Sequence, residues 1–557
     1  MLRGGVAAYP SKWLSFVNAL PKKGKLMLPK MVRFITVMGI FEKIYQIILS
    51  NRLVKFLKIP FPQTAYQKER GCNIHVMTIR LMKILAKKAG VKLYIIFTDF
   101  EAAFDLVSRR LLFRKLIQIG ISSVFLNALT AISISGKSVV QHDNQFSEYI
   151  LLLAGVKQGA PPSGLLYIAY TMGLIDMYDN SFHPEPLIYI YHMLVHADDI
   201  LMLATTRTLA IQKMIALLKY CADNYIKLQI TKCSFMCVNT NDTEDEEPLQ
   251  LQNLLLKPTS NEVYLGSVIT NSHKIIDDVN ADIKHRQLSI VKYYAFLRTN
   301  RNAPLDVKMK TLDACLSSLV YNGETWASAN LDQLEVTYRR MLKSSLGVGM
   351  TVCNEFVYLE LGIVSLRTQV MIKQYRFWKS VLEMCEGNPI RYVIDEARRQ
   401  KIKEVRHYDK MVNEYADVDE IVTKFYDKIR DDIRKKAGSG RSKYVTYLQI
   451  NPHLNTPTCY SDTHKFHHMS MFAKLRTSSH NLLVEMGRRT GTPRERRICI
   501  CGNNVEDEKH FLVDCNIYDD IRRRHGIRNK TVADILNNGD SIQYLLDIYE
   551  RRKELSP

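Results

Sequence analysis

The sequence predicts an α+β fold, in which strands and helices alternate through the first half and helices dominate the second. Short apolar, β-prone runs such as VKLYIIF (91–97) and the run 189–206 are separated by stretches whose apolar residues recur at helical spacing. Beyond about residue 277 the helical period takes over. A further observation concerns chemistry: two adjacent aspartates, Asp198 and Asp199, interrupt the otherwise apolar run 189–206. Neighbouring side chains on a strand face opposite ways, so two adjacent carboxylates cannot both be buried cheaply. The pair therefore belongs at the bend of a hairpin, either as a solvated turn or as charge presented to a metal.

The 557 residues suffice for several domains and a large core, and 24% charged with 46% hydrophobic residues is a globular composition. A net charge of +21 points to a polyanionic partner, nucleic acid first and an anionic membrane surface second. Eleven cysteines scattered from Cys72 to Cys515 do not form a secreted disulfide framework, which implies a reducing compartment. Lys12, Lys22, Lys23 and Lys25 surround a broken apolar stretch without a clean signal-peptide core, and no segment reaches transmembrane length. A soluble, intracellular protein of cytoplasm and nucleus is expected, with no membrane partner.

Residues 20–53 open with basic residues and continue with helical periodicity. Lys68 and Arg70 then sit in a polar bend ahead of an amphipathic helix, a place where basic side chains hold a triphosphate or are simply solvated. The buried strand 91–97 delivers Asp99 just past its end, and a helix follows over 108–119. A Gly- and Pro-containing bend, 155–164, precedes another helix; Gly159 permits close backbone approach and Gln158 offers donor and acceptor groups. After the aspartate hairpin come a helix over 210–224, a strand carrying Lys232, an acidic solvated loop at 241–247 and a short strand at 263–270. Charge-rich stretches between 331 and 436 read as solvated helix faces, and AGSGRSK (437–443) is the best linker candidate. There is no fixed-period internal repeat.

If the strands ending at Asp99 and bending at Asp198–Asp199 are neighbours, three carboxylates converge. Such a cluster requires cations, and an oxygen-only ligand set favours magnesium or manganese. Two metals roughly 3.5–4 Å apart activate an attacking hydroxyl and stabilise a leaving pyrophosphate, which is nucleotidyl transfer.

Five motifs in order make this specific. FTDFEAAFD (97–105) resembles motif A of reverse transcriptases, GVKQGAPPSGLLY (155–167) motif B, HADD (196–199) motif C, LQITKC (228–233) motif D and VYLGS (263–267) motif E. Residues 20–53 and 63–81 resemble the fingers of non-LTR (LINE-type) retrotransposon polymerases, and LVYNGETW (319–326) the end of their thumb. The resemblance implies a right-hand polymerase that extends a DNA 3′ end on an RNA template, with Asp99 and Asp198 binding both metals and Asp199 completing the cluster. It makes the Phe100 carbonyl a further ligand and Phe104 the bulky residue that excludes a ribose 2′-hydroxyl. Gln158 and Gly159 would lie against the nascent base pair, and Arg70, then Lys68, would contact the triphosphate. Lys232 would protonate pyrophosphate, and Tyr264, Leu265 and Gly266 would form the primer grip. The chain departs from the family in three places: His196 replaces a Tyr or Phe, Ser163-Gly164 replaces Ser-Pro, and Gln63-Thr64-Ala65-Tyr66 replaces Gln-x-Gly-Phe.

A second cluster lies in RRICICGNNVEDEKHFLVDC (496–515), where Cys499, Cys501, His510 and Cys515 offer three thiolates and an imidazole, a tetrahedral zinc set. The single residue between the first two cysteines is tighter than the usual spacing, and free cysteines beside a surface histidine are the alternative. The same order follows the polymerase in LINE-type proteins, as does a segment similar to FAKLRTSSHNLLVEMGRR (472–489), which favours structural zinc. Arg494, Arg496, Arg497 and Arg522, Arg523 and Arg524 flank it and suggest nucleic-acid contact by a knuckle. His464, His467 and His468 read as surface or core residues.

The resulting domain expectation is fingers with an N-terminal segment over 1–90, palm 91–272, thumb 273–330, a helical region 331–490, a zinc knuckle 491–530 and a tail 531–557. Expected partners are an RNA template, a DNA primer or nicked target, and deoxynucleoside triphosphates. No endonuclease segment precedes the fingers, so a truncated copy or a fragment is expected, with the nick made elsewhere. The competing reading is an element-derived nucleic-acid-binding protein that no longer polymerises.

Overall fold

A computed structural model describes residues 14–21, 32–68, 70–134, 137–142, 145–150, 153–183, 192–240, 242–251, 254–327, 329–384, 388–460 and 465–555. Lys12, Lys22, Lys23, Lys25, residues 189–191, Asn241 and His464 lie outside them. The chain divides into two compact units, one made of residues 1–281 with 380–406 and the other of 282–379 with 407–557.

The first unit holds two sheets, a hairpin and their helices. Strands β1 (Leu14–Pro21), β2 (Val32–Val37), β4 (Lys137–His142) and β5 (Gln145–Phe146) form a sheet in the order β2-β1-β4-β5. A six-stranded sheet has the order β6-β7-β3-β8-β10-β9, from β3 (Leu93–Thr98), β6 (Met193–His196), β7 (Asp199–Ala204), β8 (Ser234–Val238), β9 (Leu249–Leu251) and β10 (Leu254–Pro258). β11 (Asn261–Tyr264) and β12 (Ser267–Thr270) form a separate hairpin. Its helices include α1 (Ile40–Leu53), α2 (Cys72–Ala89), α3 (Arg109–Gln118), α4 (Ser123–Ile134), α5 (Ser163–Thr171), α6 (Gly173–Ser181) and α7 (Arg207–Asp223), with the later helix Pro389–Arg399.

Every residue of β3 is buried, as expected of a central strand covered on both faces. Tyr94 and Ile96 pack with Met202 and Ala204 of β7 and with α6 and α7, through Tyr178, Met214 and Leu217. A second core joins α1, α3, α4 and α5 and takes in Ala197 of the aspartate turn. These two cores hold the turn from both sides, while the polar residues at its tip stay near solvent.

Several expectations change. The helical reading of 20–53 holds only from Ile40; Val32, Phe34, Ile35, Thr36 and Val37 form a strand because β-branched and aromatic residues favour an extended backbone. Lys232 is not in the strand but ends a 3₁₀ turn, Ile230–Lys232, just before β8. The acidic stretch is not wholly solvated, since Asp245 is buried and accepts from Tyr94, Thr240 and Lys92. Residues 263–270 are two strands and a turn, not one strand. The glycine-bearing stretch 437–443 is a tight connection from the helix Val418–Gly438 to the helix Ser442–Ile450 inside the second unit.

The second unit is helical, running from Leu288–Thr299 through Asp332–Leu346 to Ile542–Leu555. At its centre Glu360 accepts two charge-assisted bonds from the fully buried Arg476, at 2.8 and 2.9 Å, and bonds from Tyr447 and Tyr460. A buried carboxylate is tolerable only with its lone pairs satisfied in this way. Among the described residues no helix is long and apolar enough to cross a membrane.

Candidate functional site

β6 and β7 pair up to His196↔Asp199, which leaves Ala197–Asp198 as a two-residue turn with a positive φ of 58° at Ala197. An L-residue in that region costs about 1 kcal/mol, so the turn must be held by its surroundings. Gln63 does this: its Oε1 accepts from the Ala197 amide at 3.1 Å and from the Ala65 amide at 2.9 Å. Pro62 and Thr64 bond the backbone of Val195, so the loop before α2 lies against β6 like an added strand. β7 pairs antiparallel with β3 through Thr98↔Ile200, and the next residue of each strand is an aspartate, Asp99 and Asp199. The sheet register thus brings together the three carboxylates that the sequence separates by about a hundred residues.

Asp199 keeps contact with solvent, but desolvation by the packing around the turn raises its pKa to about 6, and the negative charges of Asp198 and Asp99 add to the effect. Asp198 is raised too, first by burial and then by Asp99, while its own backbone amide and Arg33 pull the other way. Lys232 donates to Asp99 Oδ2 at 2.8 Å. The 3₁₀ turn gives Lys232 this aim, and the Gln229 amide bonding the Asp99 carbonyl at 2.8 Å fixes it.

Phe100 is buried and bridges Leu228 through bonds made by the Asp99 carbonyl and the Glu101 amide, which directs its own carbonyl to the opposite side. Phe104 stacks on Tyr167 of α5, with centroids 4.8 Å apart, and its carbonyl accepts from Val156. Gln158 donates to Asp105 at 3.2 Å, and its carbonyl accepts from Thr36 at 2.7 Å. Gly159 has φ +96°, and a Cβ there would lie 2.8 Å from the Thr36 carbonyl, so only glycine fits this crossing. Arg70 lies over the Phe61 ring at 4.7 Å, while Lys68 is exposed. Leu265 and Gly266, both at positive φ, make the two-residue turn of the β11–β12 hairpin. Tyr264 is fully enclosed, with its hydroxyl 3.2 Å from His75 Nδ1, so of the three residues expected to form a primer grip it anchors the hairpin and the other two form its tip.

Sequence reasoning passed over Gln63 as a functional residue, and also Thr64, Cys72 and His75. His196 Nδ1 lies 2.9 Å from Thr64 Oγ1 and its Nε2 3.5 Å from Cys72 Sγ, which explains how a histidine is accommodated in motif C. The signal was present as two departures from one family pattern, 63–66 and 196, that turn out to touch.

In the second unit Cys499, Cys501, His510 and Cys515 each offer one ligand atom within 4.8 Å of the others. Among the described residues the three aspartates do not meet that condition. Two of the flanking arginines are structural and are not free to meet nucleic acid. Arg497 donates to the Thr492 and Val484 carbonyls, and the buried Arg522 donates to the Cys515 carbonyl at 2.5 Å. Arg494, Arg496, Arg523 and Arg524 remain exposed.

Residues 20–269 match the reverse transcriptase (RNA-dependent DNA polymerase) family. The chain is similar to the retrovirus-related Pol polyprotein from type-1 retrotransposable element R2 of Popillia japonica, 28% identical over 172 residues, which is 30% of this chain and 24% of that protein. It is also similar to the transposon TX1 uncharacterized 149 kDa protein of Xenopus laevis, 29% identical over 153 residues, 27% of this chain and 12% of that one. The matched part thus spans a quarter or less of either relative's length. Among solved structures, telomerase from Candida albicans in complex with a fragment of telomeric RNA aligns at 13% identity and a TM-score of 0.35, covering 72% of this chain and 66% of that one. The match of residues 20–269 to the reverse transcriptase family thus takes in the end of β3, the bend leading into α5, the aspartate turn, the 3₁₀ turn before β8 and the β11–β12 hairpin, and the similar relatives are proteins of transposable elements.

Proposed function

We propose that the chain is an RNA-directed DNA polymerase, extending a DNA primer or a nicked target on an RNA template with deoxynucleoside triphosphates. The observation that carries this is the register Thr98↔Ile200, which sets Asp99 beside the Asp198–Asp199 turn. The cluster suits a pair of divalent cations: its donors are all oxygen, and desolvation, with the negative charge of neighbouring carboxylates, raises the pKa of Asp198 and Asp199. Asp99, Asp198, Asp199 and the Phe100 carbonyl would hold magnesium or manganese. Bound there, the metals supply activation of the primer 3′-hydroxyl and stabilisation of the pyrophosphate.

The remaining work belongs to the chain. Phe104, braced by Tyr167, excludes a 2′-hydroxyl from the sugar site, and the Gln158–Gly159 crossing backs the nascent base pair. Arg70, with Lys68, neutralises the triphosphate. Lys232, resting on Asp99, carries an ammonium that can donate its proton to the departing pyrophosphate. The Leu265–Gly266 tip supports the primer strand. Cys499, Cys501, His510 and Cys515 would hold a structural zinc, since three sulfurs and one imidazole are already gathered. The exposed Arg494, Arg496, Arg523 and Arg524 would face nucleic acid beside it.

Primer extension on an RNA template with magnesium tests the reading. The parent chain extends the primer and Asp198→Ala does not, while both bind primer–template; binding without extension by the folded parent would leave the non-polymerising, element-derived reading in its place.

A further inference from the structure

Tyr66 is out of character in three ways. It is a bulky residue at φ 56°, a region that costs an L-residue about 1–2 kcal/mol. It is 57% exposed, although Ala65 beside it is buried in the core and Gln63 ties the same loop to the aspartate turn. Its ring also lies flat against Gly164 at the start of α5: a Cβ on Gly164 would come within 2.6 Å of Cγ, Cδ1 and Cδ2. Those atoms adjoin the backbone of Tyr66, so the ring cannot swing clear while the loop stays tied. Strain held in place by its surroundings at a reaction centre is a reason to look for a task.

The location suggests one. Ala65, the residue before Tyr66, shares the Gln63 acceptor with the Ala197 amide, so the ring is carried on the loop that holds the aspartate turn, and the charge of Asp198, after burial, raises its pKa. Five to six residues before Gly164 the same segment carries Gln158 and Gly159, whose backbone crosses that of Thr36. One ring face rests on Gly164 and much of the remaining surface is open. Two of the chain's departures from its family, Tyr66 in the fingers motif and Gly164 in motif B, are therefore one feature: the glycine makes the seat and the tyrosine occupies it.

We propose that Tyr66 is a specificity-determining residue whose outer ring face forms the floor under the nascent base pair, and that Gly164 exists to seat it. This rests on the polymerase reading above. The floor acts through its shape and its π-face, so the hydroxyl is dispensable. A correct pair lies flat on it and a mismatched pair does not.

Single-nucleotide extension on an RNA template, with kcat and KM for each deoxynucleotide and for misincorporation, decides the matter for Tyr66→Phe, Tyr66→Ala, Gly164→Ala and the double variant. Losing one base–aromatic contact corresponds to about tenfold. Tyr66→Phe should stay within about twofold of the parent. Tyr66→Ala should raise KM for the correct nucleotide about tenfold and raise misincorporation, with kcat little changed. Gly164→Ala should reproduce that defect, because the added methyl evicts the ring, and the double variant should be no worse than Tyr66→Ala. Multiplying defects, a Phe variant as impaired as the Ala variant, or wild-type KM and misincorporation in Tyr66→Ala would each overturn the proposal. So would an effect confined to melting temperature. A parent chain that does not extend at all sinks the polymerase reading and this proposal together, whereas an active parent with an unaffected Tyr66→Ala sinks only this one.

Discussion

His196 sits with one ring nitrogen on Thr64 and the other near Cys72, and burial lowers its pKa, which keeps it neutral and able to donate at one nitrogen and accept at the other. Replacing it with alanine leaves the buried Thr64 hydroxyl and the half-buried Cys72 thiol behind, so His196→Ala should cost about 1–3 kcal/mol of stability, read from urea denaturation. The same substitution at an exposed histidine should cost little. Phe104 gives a prediction of another kind. Its stack on Tyr167 fixes the ring, so Phe104→Val should raise ribonucleotide incorporation by about tenfold or more relative to deoxynucleotides, on the order of the 1.4 kcal/mol that tenfold represents. Unchanged discrimination would remove Phe104 from the sugar site.

At the scale of elements, α3, α5 and α7 meet around Lys115. Its ammonium lies over the rings of Tyr170 and Tyr220, donates to Asn224 at 2.7 Å, and also bonds the Tyr170 carbonyl. Burial lowers its pKa from 10.5 to about 8. In the unfolded chain the group keeps its ordinary value, so between about pH 8 and 10.5 the unfolded state holds the extra proton. Stability from this group therefore rises with pH across that window, and the charged form's penalty is complete below it. Lys115→Met should lose that slope in denaturation curves taken at pH 7.5, 9 and 10. The β11–β12 hairpin is a second test. Its turn needs positive φ at both Leu265 and Gly266, so Gly266→Val should cost about 1–2 kcal/mol and weaken primer retention more than nucleotide binding.

For the whole molecule, the proposed binding of an RNA template should be electrostatic given a net charge of +21, and affinity should fall steeply and log-linearly with salt. Metal should matter in two separable ways. Chelation at the Cys499–Cys515 cluster, or Cys515→Ser, should abolish bound zinc and lower thermal stability, read by elemental analysis and calorimetry. Magnesium should restore extension without restoring that stability. The placement of the candidate site residues was legible where they sit in short contiguous stretches: Asp99 at a strand end, Asp198–Asp199 at a bend and the Cys/Cys/His/Cys order each declare themselves locally. What could not be read was what depends on pairing at a distance. β4 joins β1 in parallel across more than a hundred residues, β10 joins β8, and Lys232 turns to Asp99 through a 3₁₀ turn with no periodic signature. Arg497 and Arg522 looked like surface charge because nothing in a basic run says which members fold inward to bond carbonyls.

The single oxygen of Gln63 that receives both the Ala65 and the Ala197 amides has a consequence for rebuilding such a domain. The fingers loop and the aspartate turn are far apart in the chain but share one acceptor, so they form one exchangeable part. A chimera that imports residues 61–66 from a relative while keeping the resident 192–200 would mismatch at that atom and at the Thr64–His196 contact. Swapping the two segments together should preserve both, and grafts of this site are best cut around the pair.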